Sequence, residues 1–204
     1  MWWTGGWKAP MIDASRFLVQ SRYRDEWLAT RLTGVTATTV SAAATPAGFR
    51  EVVASWGQPV EPNGYMTFGS ESEHELMRHA HTAYGILEND FLIAAENNPR
   101  HLATPDGISP DHRLIAEAKT TGRDWDAPPI KYRRQCQWQM YVTNTERCLL
   151  LWNLRVPDDA DWFYLGWIEP KTLWIERDET MIRDLTEVAD RLLEALDGQL
   201  QGAA

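Results

Sequence analysis

Ala103-Thr104-Pro105-Asp106-Gly107-Ile108-Ser109-Pro110-Asp111-His112-Arg113-Leu114-Ile115-Ala116-Glu117-Ala118-Lys119-Thr120-Thr121 is the stretch around which the rest of the chain is organised. Two short apolar runs flank Ser109-Pro110-Asp111, a turn composition, and this predicts two adjacent strands. Side chains alternate faces along a strand, so Ile115, Glu117 and Lys119 share one face and Leu114, Ala116 and Ala118 the other. A carboxylate and an ammonium therefore stand side by side on an otherwise apolar strand. Asp106 is expected at the end of the first strand, where it can share a cation with Glu117.

This Asp…Glu-x-Lys arrangement is the chemical kit of a metal-dependent phosphodiesterase. Mg²⁺ takes oxygen ligands, keeps several waters, and is usually held by one or two carboxylates plus a substrate phosphate. Such an ion acidifies a water and stabilises the charge that grows on a phosphate. Lys119 offers a compact point charge to that water or to the scissile oxygen. Glu-x-Lys recurs at Glu169-Pro170-Lys171, but no Pro-Asp-Gly precedes it at a matching distance. Pro170 also removes a ladder donor, which suits a strand end. The second copy is read as a decoy.

With 204 residues and 44% hydrophobic content, the chain can bury a full core as one domain spanning 1–204. No apolar run approaches membrane-spanning length, and residues 1–7 lack a basic region followed by a signal-type apolar core. The second feature argues against secretion, and two unpatterned cysteines suit a reducing cytoplasm. Cys136 and Cys148 fit free thiols and cannot form a four-cysteine metal site. A net charge of −9 argues against a generic nucleic-acid binder, but the charge is segregated. Residues 113–134 carry six Lys/Arg against three acids, and residues 178–204 two Arg against seven acids.

Trp2, Trp3 and Trp7 have no clear period and are read mainly as packing residues. Arg22 to Leu32 predicts a helix with Trp27, Leu28 and Leu32 at compatible spacing, and residues 35–40 a small β-branched or turn segment. Pro46 to Trp56 reads as a helix, and Phe68 to Gly85 as a long one with Glu73 one turn before Leu76, Met77 and Ala80. His74, His79 and His81 fall on different faces of it and carry no metal pattern. Phe91 to Glu96 predicts a strand, Lys131 to Val142 a helix with Tyr132, Gln135 and Gln139 along one side, and Cys148 to Val156 a buried strand. Trp162 to Ile168 and Thr172 to Glu176 read as a strand pair. A final helix runs from Asp178 as N-cap to Gly198 as stop. The pattern is a single α/β domain with a mixed central β-sheet flanked by helices.

With these residues in place, the chain resembles the lambda-exonuclease/YqaJ-type viral recombinase nucleases of the PD-(D/E)XK superfamily. The likeness runs in order from Trp27 to Leu196. Its motifs are Trp27-Leu28-x-x-Arg31-x-x-Gly34-Val35-Thr36-Ala37-Thr38, Gly69-x-x-x-Glu73, Thr104-Pro105-Asp106-Gly107, Glu117-Ala118-Lys119, Tyr132-x-x-Gln135-x-Gln137-x-x-Met140-Tyr141-Val142-Thr143 and Ile175-Glu176-Arg177-Asp178-Glu179. The resemblance implies a restriction-endonuclease-like core and 5′-to-3′ digestion of double-stranded DNA with Mg²⁺ or Mn²⁺. It further implies a single-strand annealing protein as partner in phage recombination, a bacterial host cytoplasm, and a homo-oligomer of three chains.

By position, Asp106, Glu117 and the backbone carbonyl of Ala118 are the implied metal ligands, with Glu73 acting directly or through water. Lys119 is implied to serve the nucleophilic water, and Gln135 with Tyr132 to brace the site. Arg31 and Thr38 are implied to hold a 5′-phosphate, although Thr38 departs from the serine common there. Two alternatives stay open: an endonuclease of restriction or repair type on the same core, and a non-catalytic DNA-binding protein on the same fold.

Overall fold

A computed structural model describes residues 11–159 and 162–202; Trp2, Trp3 and Trp7 lie outside them. After a short 3-10 turn at Ala14–Arg16 come β1 (Phe17–Gln20), α1 (Arg24–Arg31), α2 (Ala37–Ala43), α3 (Pro46–Ala54) and α4 (Gly64–Tyr84). Then follow β2 (Leu87–Glu88), β3 (Phe91–Ala94), β4 (Leu102–Ala103), β5 (Gly107–Ile108), β6 (Leu114–Thr121) and α5 (Ile130–Thr143). The chain continues through β7 (Arg147–Pro157), β8 (Phe163–Leu165), β9 (Lys171–Glu176) and α6 (Glu179–Gly202).

The opening stretch forms the expected hairpin. β5 and β6 pair antiparallel, with Gly107 opposite Ala116 and Ile108 opposite Ile115. Asp106 sits just before β5 rather than ending a strand. β6 then pairs parallel with β7 in unbroken register, from Leu114 opposite Arg147 to Thr121 opposite Leu154. Parallel neighbours need a long crossover, and α5 supplies it. The predicted alternation holds. Ile115 joins the large core formed with Trp138, Met140, Leu150 and α6, whereas Ala116 and Ala118 pack with Leu76, Met77 and Ala80 of α4.

The sheet is mixed and curled between helices. Order β2-β5-β6-β7-β8 forms one sheet, with β9 also on β7, and β1-β3-β4 forms a smaller one. The expected pairing of 162–168 with 172–176 is corrected: β8 and β9 both run antiparallel to β7 and do not pair with each other. Gly166 N–H donates to the Leu154 carbonyl at 2.7 Å and Trp167 N–H to Asn153 Oδ1 at 3.0 Å, so the two read as one interrupted edge strand.

Three helices depart from their expected limits or faces. Residues 37–43 are helical despite their β-branched content, because Val40, Ser41 and Ala43 are buried where α2 meets α5 and α6. Tertiary packing overrides weak local propensity there. In α1 only Trp27 is buried, while Leu28 and Leu32 are 42% and 52% exposed. The helix α6 passes through Gly198 to Gly202, with Ile182, Leu185, Ala189, Leu192 and Leu196 buried and Val188 half-buried. Asn63 caps α4 by accepting from Met66 N–H at 3.0 Å, and left-handed Gly85 (φ 70°) ends it.

Backbone contact joins the α1–α2 corner to β4. Val35 N–H donates to the Arg100 carbonyl at 2.8 Å, and Leu102 N–H to the Val35 carbonyl at 2.9 Å. A Cβ at Gly34 would lie 2.1 Å from the Arg100 oxygen, so no larger residue fits that approach. Cys136 and Cys148 are buried free thiols. Among the described residues, no helix is long and apolar enough to cross a membrane.

Candidate active site

Asp106, Glu117 and Lys119 come together on one hairpin because β5 and β6 pair at Gly107–Ala116. Asp106 Oδ2 accepts from the Ala118 N–H at 2.7 Å, which ties the turn-side carboxylate to the strand between the other two groups. Glu117 is 4% exposed, pairs with the Lys119 ammonium, and accepts at Oε2 from Gln139 Nε2 at 2.6 Å. Gln139 lies one turn after Gln135 on the inner side of α5, so helix and strand fix the carboxylate from two directions. The Lys119 ammonium lies 5.6 Å from the centroid of the Tyr132 ring, which is itself 5.1 Å from Trp125.

The electrostatics show too much negative charge in a covered place. Burial raises the Asp106 carboxyl well above its ordinary range, and Glu117 and Glu73 raise it further. Glu73 from α4 is also raised, first by burial and then by Glu117. Burial alone would lower the Lys119 ammonium, but Glu117 and Asp106 together hold it above its usual value. Lys119 is therefore a fixed cation at neutral pH.

One cleft of about 450 Å³ gathers the predicted residues: Arg31, Thr38, Glu73, Asp106, Glu117 and Lys119 all line it. Gln135 and Tyr132 line a second cleft that shares Glu73 and Lys119 with the first. Arg31 lies 4.2 Å over the Trp27 ring, and among the described residues no carboxylate forms an ion pair with it. Its guanidinium is lowered by burial and by Arg24. A surface pair with Asp25 or Glu26 is not what holds it.

Lys171 of the second Glu-x-Lys pairs with exposed Asp124 and lines neither cleft. Of the basic residues at 113–134 other than Lys119, only Lys131 reaches a cleft of the site; Arg134 lines a separate depression together with Asp178 and Asp184. Two contributors were missed in the sequence. Gln139 was visible as a helix neighbour of Gln135 but not as the holder of Glu117. Arg24, which lines the first cleft with its guanidinium 5.0 Å from the centroid of the Trp27 ring, carried no spacing signal at all.

The donor set suits a hard divalent cation. Five carboxylates, Glu73, Glu88, Asp90, Asp106 and Glu117, line the cleft with one ammonium. Thr104 Oγ1, Gln135 Oε1 and Gln139 Oε1 are buried without a hydrogen-bond partner, the places where ion-bound water finds acceptors or donors. Among the described residues no three His, Cys, Asp or Glu side chains form a ready-made cage. Mg²⁺ needs none, because it keeps several of its waters.

Residues 48–146 match the YqaJ-like viral recombinase domain. This segment contains Glu73, Asp106, Glu117, Lys119, Tyr132 and Gln135, while Arg31 and Thr38 precede it. No curated protein matches the sequence. Among solved structures, the alkaline exonuclease of Laribacter hongkongensis is similar at 24% identity and a TM-score of 0.68, over 88% of this chain and 95% of that one. The same enzyme in complex with dAMP gives 23% and 0.69 over the same shares. A phage-related exonuclease from Haemophilus somnus 129PT gives 16% and 0.64, over 84% of this chain and 96% of the other. At these identities the likeness establishes the fold, a PD-(D/E)XK-type mixed sheet. Residues 48–146 are thus similar to the YqaJ-like viral recombinase domain, and the chain has the fold of the alkaline exonucleases.

Proposed function

We propose that the protein is a metal-dependent exonuclease that hydrolyses linear double-stranded DNA from its 5′ end, in the manner of phage recombination. The observation that carries this reading is the single cleft in which Asp106, Glu117, Lys119 and Glu73 meet Arg31 and Thr38. Asp106, Glu117, the Ala118 carbonyl and, through water, Glu73 would hold Mg²⁺ or Mn²⁺, which supplies an acidified water and charge for the phosphate when bound. Lys119 orients the attacking water and stays protonated beside Glu117. Gln139 fixes the Glu117 carboxylate, and Tyr132 with Gln135 closes the side toward α5. Arg31 and Thr38 bind the terminal phosphate and so place the strand end.

The test is the purified protein with Mg²⁺ on linear and on covalently closed circular duplex. Degradation of the linear form alone supports the reading. Cleavage of the circle moves the assignment to an endonuclease on the same core, and no cleavage in Mg²⁺ or Mn²⁺ leaves only a DNA-binding role.

Arg31 gives a sharper prediction. A charge-assisted contact to phosphate is worth roughly 1.5–3 kcal/mol, or about ten- to a hundred-fold. Wild type should degrade 5′-phosphorylated duplex faster than 5′-hydroxyl duplex by that factor, and Arg31→Ala should erase the difference. Initial rates on the two ends decide it; equal rates for wild type would remove the end clamp.

Salt dependence probes the walls of the clefts. Duplex affinity should fall steeply with salt, because phosphate contacts release counterions. Lys131→Gln should reduce the slope of log K against log salt by about 1, while Arg134→Gln, in a separate depression lined also by Asp178 and Asp184, should leave it unchanged. The reverse result would place the DNA on the α6 side.

A further inference from the structure

The second cleft, of about 670 Å³, shares Thr38, Ser70, Glu73 and Lys119 with the first. Tyr65, Lys131 and Arg155 line it. Tyr65 is 58% exposed although its ring lies 5.4 Å from Phe163, which in turn lies 5.6 Å from buried Phe68. The ring is thus held by Phe163 while more than half of the residue stays exposed. The Arg155 guanidinium lies 4.3 Å over Tyr65 and 5.4 Å from Phe163, and among the described residues it forms no ion pair with a carboxylate.

An isolated guanidinium–ring contact is common, about one such pair in every 70–80 residues. This one is set apart by its place. It stands in a cleft that shares Glu73 and Lys119 with the carboxylate site, with a second cation in its lining, Lys131, which lies 4.7 Å over the Tyr132 ring and pairs with no carboxylate among the described residues. An exposed aromatic ring beside cations that no carboxylate pairs matches a nucleobase joined to its phosphate, the pairing used by single-strand binding surfaces.

We propose that Tyr65 and Arg155 form a stacking shelf for a nucleobase of single-stranded DNA, with Arg155 and Lys131 taking the flanking phosphates. This rests on the exonuclease reading for its occupant. It adds that one strand is already unpaired where it leaves Lys119 along the second cleft. Every base has a π-face, so the shelf grips any sequence.

The experiment uses a single-stranded oligodeoxynucleotide of about 12 nucleotides carrying 2-aminopurine, mixed with the full chain in chelator so that nothing is cut. Wild type should quench the fluorescent base on binding. Tyr65→Leu should weaken binding about 5- to 100-fold, the range that loss of one stacked base brings, and restore the fluorescence. Tyr65→Phe and Tyr65→Trp should keep both affinity and quenching, which separates stacking from mere bulk. Equal affinity and equal quenching for wild type and Tyr65→Leu would overturn the shelf. Hydrolysis of linear duplex in Mg²⁺ is read separately. If wild type quenches but does not cut, the shelf stands and the nuclease reading falls; if it cuts while binding ignores Tyr65, only the shelf falls.

Discussion

Glu117→Gln is expected to lower the initial rate of duplex hydrolysis roughly 10³-fold or more, about 4 kcal/mol of transition-state stabilisation. The amide keeps the size and can still meet Gln139, so the fold should persist while a charged oxygen is lost. Asp106→Asn should be as damaging to rate, yet it should make the metal-free protein more stable. Burial, Glu117 and Glu73 all raise the Asp106 carboxyl, so its charged form opposes folding. A raised carboxyl favours the fold only while it is protonated, and that advantage disappears as pH climbs through its folded value. At pH 7 in chelator, Asp106→Asn, which requires neither a buried charge nor a bound proton, should therefore raise Tm. The gain should shrink toward acid pH, where wild type takes up the proton itself. Near wild-type cleavage by Glu117→Gln would end the central assignment. A lower Tm for Asp106→Asn would show instead that its bond from Ala118 outweighs the charge.

Lys119→Met should reduce the rate about 10²- to 10³-fold, the scale on which a positioned proton or charge contributes to a transition state. Its effect on stability should be opposite in sign to that of Asp106→Asn. The ammonium is the one cation paired with Glu117, and without it three carboxylates face one another. The metal-free variant should thus unfold at lower temperature, while divalent-ion affinity measured by calorimetry is kept or increased. Lys119→Arg separates the roles: a guanidinium restores charge, and with it Tm, but not the compact point charge that orients a water. Lys171→Ala is the matched control, since that side chain lies on the surface beside Asp124 and its loss should be silent. If Lys119→Met retains full activity, Lys119 only balances charge.

These three residues were legible because they lie on a hairpin, where period-two alternation and one turn decide which groups meet. Glu73 was readable for the corresponding helical reason, one turn before Leu76, Met77 and Ala80 on the packed side of α4. Strand β7 and helix α6 announced themselves as a continuous apolar run and a clean stripe. What failed depended on distant partners. Nothing local in Thr38-Thr39-Val40 says that α5 and α6 will bury it as a helix. The apolar spacing of Leu28 and Leu32 gave no sign that α1 would turn only Trp27 inward. Which strand β8 would join is decided by the length of β7, and two runs close in sequence were naturally paired with each other. In the site the same division holds. Gln139 holds Glu117 across the crossover, and Arg155 reaches Tyr65 from a strand ninety positions later, contacts no spacing rule encodes.

The seam at Gly34 has a consequence for the length of what is released. On the proposed reading, the strand end sits at Arg31 and Thr38, and the bond is broken at Asp106, Glu117 and Lys119. The span between them is set where Val35 is laced to Arg100 and Leu102 by main-chain hydrogen bonds, at a contact too close for any side chain at Gly34. Backbone of this kind acts as a ruler. Side chains around the cleft can change how fast the enzyme cuts or which ends it accepts, but the graduation mark stays where it is. Every cycle would then liberate a fragment of one size, and the step of the enzyme along DNA would be a property of its skeleton.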